Sequence, residues 1–133
     1  MDASSRYDSL IAYYAEKYGR NPKQIKRQIR AESNFNPSAS NPRSGARGLM
    51  QFMKATWLEW GTYNFDDAYD PELSIAVGCK YLRWLECQLA SLEIVLAAYN
   101  YGIGNVQKGK SWPKETKSYV KKCMAYEEET MVC

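Results

Sequence analysis

From Ile25 to Gln51 the chain reads IKRQIRAESNFNPSASNPRSGARGLMQ, a helical repeat running into a long loop, and no other stretch restricts the fold as much. Asn21 followed by Pro22 opens the helix. The amide side chain caps free backbone N–H groups, and proline takes the first helical position, where no donor is needed. Ile25, Gln28, Ile29 and Glu32 then recur at i, i+3, i+4 and i+7 and share one face. Lys23, Lys26, Arg27 and Arg30 fall on the opposite face, which is expected to be the wet one. Asn36-Pro37 breaks the helix one turn after Glu32. Glu32 is therefore expected on the inward stripe at a helix C-terminus. The macrodipole gives it no help there and an apolar face strips its hydration, two effects that raise a carboxyl pKa. A carboxyl kept protonated near neutral pH can act as a general acid. A glutamate near a helix end is ordinarily solvated or ion-paired, so this assignment leans on the residues C-terminal to it.

The helix gives way to a Pro/Ser/Asn/Gly-rich loop, Asn36 to Arg47, and then to Gly48-Leu49-Met50-Gln51. Loops of this length in small domains tend to carry function. The rest of the chain reads as helices. Tyr7, Leu10, Ile11, Tyr14 and Tyr18 form a stripe that stops at Gly19. Lys54 to Trp60 reads as a short helix closed by Gly61, and Tyr63 to Tyr69 as a polar-aromatic loop. Asp70-Pro71 repeats the cap-plus-proline start and opens a long helix to about Ala90. Ser91 caps a helix that is apolar on nearly every side through Ala98, the mark of a buried one. It runs into Tyr99-Asn100-Tyr101-Gly102-Ile103-Gly104, where two glycines force a turn. Residues 105 to 113 read as a Lys/Gly-rich loop, and Lys114 to about Glu128 as the last helix. No segment alternates as a strand would. The expected fold is all-α, a single compact helical bundle over residues 1–133 with a groove for substrate, a length that can bury a real core.

Absences narrow the chemistry. The chain has no His, which removes Ser-His-Asp and Cys-His catalysis and any zinc site that needs imidazole. Its four Cys, at 79, 87, 123 and 133, include no C-x-x-C pair, so no metal site is expected. Cys79 shares a stripe with Ile75, Leu82 and Leu89 and reads as a core residue; neither Cys87 nor Cys133 looks like a staple. The chain reads as one folded in a reducing compartment. The N-terminus lacks the basic-then-apolar pattern of a signal peptide, and no apolar run is long enough to span a membrane. Aromatics reach 14%, with 11 Tyr, which suits either a helical core or a groove that stacks sugar rings.

Glu32-Ser33, Phe35-Asn36-Pro37, Ala39, Gly45-Ala46 and Gly48-Leu49-Met50-Gln51 resemble the first motifs of the SLT-type lytic transglycosylases, in the goose-type lysozyme superfamily. The order continues with Ala98-Tyr99-Asn100, Gly102, Gly104 and Val106, then Glu115-Thr116 and Tyr119-Val120, so the resemblance covers residues 8 to 123. It implies a lysozyme-like fold acting on peptidoglycan, with Glu32 as the catalytic acid and no cofactor. Ser33 joins the substrate-contacting set, and the Met50-Gln51 segment lines the floor beside Glu32. Tyr99 and Asn100 contact substrate, Tyr119 lies close to the acid, and Glu115 meets the glycan or its peptide stem. The family often has Ser nine positions after the acid, where this chain has Asn41, and the loop here is one residue longer; Ser40, Asn41 or Ser44 takes the polar role. Each assignment has a plainer counterpart. Gln51 and Asn100 also suit buried backbone groups, Tyr99 and Tyr119 a core, and Glu115 the first turn of a helix.

The motifs supply one convincing acid, where most glycosidases need two. The family's route fits one: Glu32 protonates the glycosidic oxygen, the substrate acetamido group stabilises the cation, and closure by the C6 hydroxyl gives a 1,6-anhydro product. Water competing for the intermediate would make a muramidase instead. Two rivals remain: an inert murein-binding module, and a nucleic-acid binder built on the Lys23, Lys26, Arg27, Arg30 stripe. The second leaves Glu32 and the GLMQ segment unexplained, and no nucleic acid is expected as partner. A chain starting at Met1 without leader or anchor resembles a phage-encoded or virion-associated enzyme acting on the cell wall, as a monomer or within a tail assembly. A domain cut from a larger protein is the alternative.

Overall fold

Local capping chemistry sets several helix starts in the computed structural model, which describes residues 3–124. After a 3-10 turn at Ala3–Ser5 come α1 (Asp8–Lys17), α2 (Pro22–Ser33), α3 (Lys54–Trp60), α4 (Pro71–Gln88), α5 (Leu92–Tyr101), α6 (Ile103–Gln107) and α7 (Lys114–Cys123). The fold is all-α, as expected. Among the described residues, extended pairing is confined to isolated bridges of Arg47 with Ser40 and with Phe52.

The cap residues act where the sequence places them. The Asn21 side chain accepts from the Lys23 N–H at 2.9 Å, with Pro22 at the first position of α2. Asp70 accepts from the Leu73 N–H at 3.0 Å at the head of α4, and Ser91 from the Ile94 N–H at 3.3 Å before α5. Each satisfies a donor that a helix start leaves unpaired.

Four expectations change, one of them the loop expected over residues 105–113, of which residues 105–107 belong to α6. Within the expected loop 63–69, Phe65–Tyr69 forms a 3-10 turn, because the Asn64 side chain accepts from the Asp66 N–H at 3.0 Å and starts it. The turn expected from two glycines needs only Gly102, at φ +96°. Gly104 lies inside α6, which the Asn105 side chain secures by donating to the Tyr101 carbonyl at 2.8 Å. The basic face of α2 is only partly wet: Lys26 is half-buried and pairs with Asp8 of α1 at 2.8 Å. The expected run of the last helix to Glu128, and Cys133, lie outside the described residues.

Contacts divide the chain into two units, residues 1–81 and 82–133, with the boundary inside α4. In the first, Ile25 and Ile29 of α2, Leu49, Phe52, Trp57 and Ile75 are buried, and the Phe52 and Trp57 rings meet edge-on at 5.1 Å. Cys79 is buried on the same face of α4 as Ile75. In the second, α5 packs on α7, burying Val95, Leu96, Thr116 and Val120. Among the described residues no helix is long and apolar enough to cross a membrane.

Candidate active site

Glu32 stands half-exposed in the last turn of α2. The helix stops because Asn34 turns left-handed, at φ 52°, with its N–H on the Arg30 carbonyl at 3.0 Å. Phe35 comes next at φ 64°. Two consecutive non-glycine residues in this region reverse the chain sharply at a cost of about 1–3 kcal/mol each. The surroundings hold them there. Ser33 Oγ donates to the Leu49 carbonyl at 2.8 Å and to the Ile29 carbonyl at 3.2 Å, tying the end of α2 to the GLMQ segment.

The loop after α2 folds back on itself. Asn41 organises its tip, with Oδ1 accepting from the N–H groups of Arg43 at 2.9 Å and Ser44 at 3.2 Å. The Gly48 N–H reaches the Ala39 carbonyl at 2.9 Å, and Arg47 and Phe52 exchange two backbone bonds at 3.0 Å. Gly48, at φ +85°, lies so close to the 3-10 turn that a Cβ would sit 1.9 Å from the Ala68 carbonyl oxygen. Only glycine fits. The Arg47 guanidinium anchors the same contact, bonded to Asp66 at 2.8 Å and lying 4.2 Å from the Phe65 ring centre and 5.3 Å from that of Tyr69.

Between the end of α2 and this loop lies a cavity of about 570 Å³, lined by Arg30, Ala31, Glu32, Ser33, Asn34, Ala39, Ser40, Asn41, Pro42, Arg43 and Gln51. That size suits a small-molecule or sugar site. Glu32, Ser33, Ser40, Asn41 and Gln51 meet there. Gln51 takes a left-handed φ of 51°, and its Nε2 donates to the Gly48 carbonyl at 3.0 Å and the Ala39 carbonyl at 3.2 Å. Its amide nitrogen thus holds the loop closed while the residue lines the cavity. Ser44 and Met50 are not part of the lining. Ser44 Oγ accepts from the Ala46 N–H at 3.2 Å. Met50 is fully buried, its N–H donating to Ser74 Oγ at 3.2 Å, and its sulfur would lie 2.3 Å from a Cβ at Gly78.

The second unit carries the remaining candidates. Tyr99 and Asn100 are half-buried near the end of α5, and Asn100 Oδ1 accepts from Thr116 Oγ1 at 2.8 Å, joining α5 to α7. Glu115 is exposed in the first turn of α7, and Tyr119 is buried one turn on.

Sequence reasoning passed over Arg30, Asn34 and Arg43 in the lining. An Asn just after a helix is a recognised left-handed cap, so Asn34 had a local signal. Phe35 had none, since its φ is imposed by the return of the loop.

Residues 9–122 match the family model described as the transglycosylase SLT domain. The transglycosylase of Enterobacteria phage PRD1 is 31% identical over 124 residues, which are 93% of this chain and 44% of that protein. Membrane-bound lytic murein transglycosylase F of Pasteurella multocida is 39% identical over 82 residues, 56% of this chain and 16% of that protein. Among solved structures, the complex of the 70-kDa soluble lytic transglycosylase with bulgecin A superposes with a TM-score of 0.83 at 28% identity, over 97% of this chain and 25% of that one. The chain spans less than half the length of each of these proteins.

Proposed function

The chain belongs to the transglycosylase SLT domain family, and from that membership we propose that it cleaves the β-1,4 bond between N-acetylmuramic acid and N-acetylglucosamine in peptidoglycan, with Glu32 as its single acid and base. The observation that carries the reading is the setting of Glu32. It lies in a cavity with Ser40, Asn41 and Gln51, where the backbone is held left-handed at Asn34 and Gln51. Strain of that kind collects where a site must be pre-organised.

The protonated Glu32 gives its proton to the glycosidic oxygen, which leaves as the O4 hydroxyl of N-acetylglucosamine. The muramoyl acetamido group stabilises the cation at C1. Glu32, now a carboxylate, takes the proton from the C6 hydroxyl as O6 bonds to C1, and the 1,6-anhydro ring closes. The acid is regenerated and no water is consumed. Polar groups of the loop orient the strand beside Glu32 in this reading, and the family resemblance alone assigns Tyr99, Asn100, Glu115 and Tyr119 to substrate contact. Similarity to the phage PRD1 protein along most of the chain supports a phage-borne or virion-associated setting at the cell wall.

Mass spectrometry of the products from purified sacculi tests this, with wild type beside Glu32→Gln. Muropeptides lighter by one water and ending in anhydromuramic acid are expected. The variant should lose about 10²–10⁴-fold in rate or more. Products with free reducing ends, again lost in the variant, would make the protein a hydrolase with the same acid. Binding to sacculi without release of soluble muropeptides would make it an inert module.

A further inference from the structure

The cavity around Glu32 is lined by two arginines, Arg30 and Arg43, that the bond-cleaving chemistry does not use. We propose that Arg30 and Arg43 read carboxylates on the peptide stems of the substrate and so select peptide-bearing murein over neutral glycans; this rests on the peptidoglycan reading above. Arg30 and Arg43 both line the cavity, on α2 and on the loop tip that returns beside it. Neither has an ion pair among the described residues, whereas Lys26 meets Asp8 at 2.8 Å and Arg47 meets Asp66 at 2.8 Å in the same unit.

Arg30 is oriented at its side chain and Arg43 at its main chain, and neither is neutralised by an ion pair among the described residues. The Arg30 guanidinium lies 5.6 Å from the centre of the buried Phe35 ring, a contact that orients a cation and leaves its charge available. The Arg43 main chain is fixed by the bond from its N–H to Asn41 Oδ1. An arginine fork matches a carboxylate in two parallel bonds, a geometry that lysine does not offer. The β-1,4 glycan backbone shared with chitin carries no carboxylate, but the lactyl peptide of murein carries several. A pocket with one acid for the bond and two cations beside it suits a strand that is anionic at every second sugar.

The test compares strands with free stem carboxylates and the same strands after carbodiimide coupling to methylamine, which turns each carboxylate into a neutral amide. For wild type, kcat/KM should favour the free-carboxylate strands by about five- to tenfold, mainly through KM. The preference should shrink as salt rises. In the double variant Arg30→Gln/Arg43→Gln the ratio should fall to about one. Both side chains are exposed, so folding is not at stake. A wild type without preference, or a variant that loses equally on both preparations, overturns the proposal. If wild type cleaves neither preparation, the enzyme reading has failed. Affinity for the two preparations then decides the arginines alone: weaker binding of the variant to free-carboxylate strands only upholds the proposal, and equal loss or none ends it.

Discussion

Two glycines show how differently a single residue bears on this fold. Gly48 combines a left-handed φ with a missing Cβ that would collide with the Ala68 carbonyl. Neither the loop nor the 3-10 turn yields easily, since Arg47 is bonded to Asp66 across the same contact. Gly48→Ala should therefore destabilise the protein by at least about 2 kcal/mol, read as a lower urea midpoint. Activity at permissive temperature should fall as well, because Gly48 is bonded through its N–H to Ala39 and through its carbonyl to Gln51, both of which line the cavity. Gly104 makes the opposite case. It lies within α6 with ordinary φ and nothing within 4 Å of its would-be Cβ. Gly104→Ala should raise stability by about 0.5–1 kcal/mol by restricting the unfolded chain. A loss of stability at this position would mean that residues 103–107 are not helical in solution. The resemblance groups both glycines among its motifs, and only the three-dimensional contacts separate their roles.

Among the elements, α2 was legible at its start and misleading along its middle. Asn21-Pro22, Asp70-Pro71 and Ser91 could be read from the sequence because a cap is a bond between residues two or three apart. The left-handed Phe35 and the Arg47 clamp could not, because each depends on residues brought together from elsewhere in the chain. The 3-10 turn at Phe65–Tyr69 did carry a local signal, the Asn64 cap, which the sequence reading passed over. Likewise the sequence pointed to Glu32 and the polar loop as parts of one site, but not to Arg30 and Arg43 beside them. The inward stripe of α2 holds a further surprise. Gln28 is fully buried and Gln24 nearly so, yet none of their side-chain amide atoms has a hydrogen-bond partner among the described residues. A buried amide without partners costs about 1–3 kcal/mol. Methionine has nearly the same volume and no such demand. Gln28→Met should therefore stabilise the fold by about 1–3 kcal/mol, with the urea midpoint rising at unchanged m-value. A fall in the midpoint would show instead that buried water satisfies the amide, and that keeping it costs α2 nothing.

For the molecule as a whole, the absence of histidine divides the pH scale sharply. Between pH 5 and 8 the usual switch is missing, so an activity change in that range would point to a carboxyl group. At alkaline pH the fold itself should respond. Burial pushes the Cys79 thiol up from 9.0 to about 12, with Arg20 pulling slightly the other way. The hydrogen bond that Tyr14 donates to Glu72 at 2.6 Å raises the phenol from 10.0 to about 12. Tyr81 is also raised, by burial first and by the charge of Glu59 second. In all three the folded state keeps its proton at a pH where the unfolded chain has released it. The folded form then binds more protons than the unfolded one, so stability is fully present below about pH 9 and falls as pH rises towards 12. Urea titrations from pH 8 to 11 should show a steady decline in unfolding free energy. Cys79→Ala tests the largest buried contribution. Losing a packed sulfur should lower stability at pH 8, but the decline between pH 9 and 11 should flatten, because one of the groups that differ in proton binding is gone. Tyr14→Phe should flatten it above pH 10 and leave the lower part unchanged. If the slope survives both substitutions, the alkaline loss arises from net charge across the chain, and these contacts between α1 and α4 and beneath α4 do not govern it.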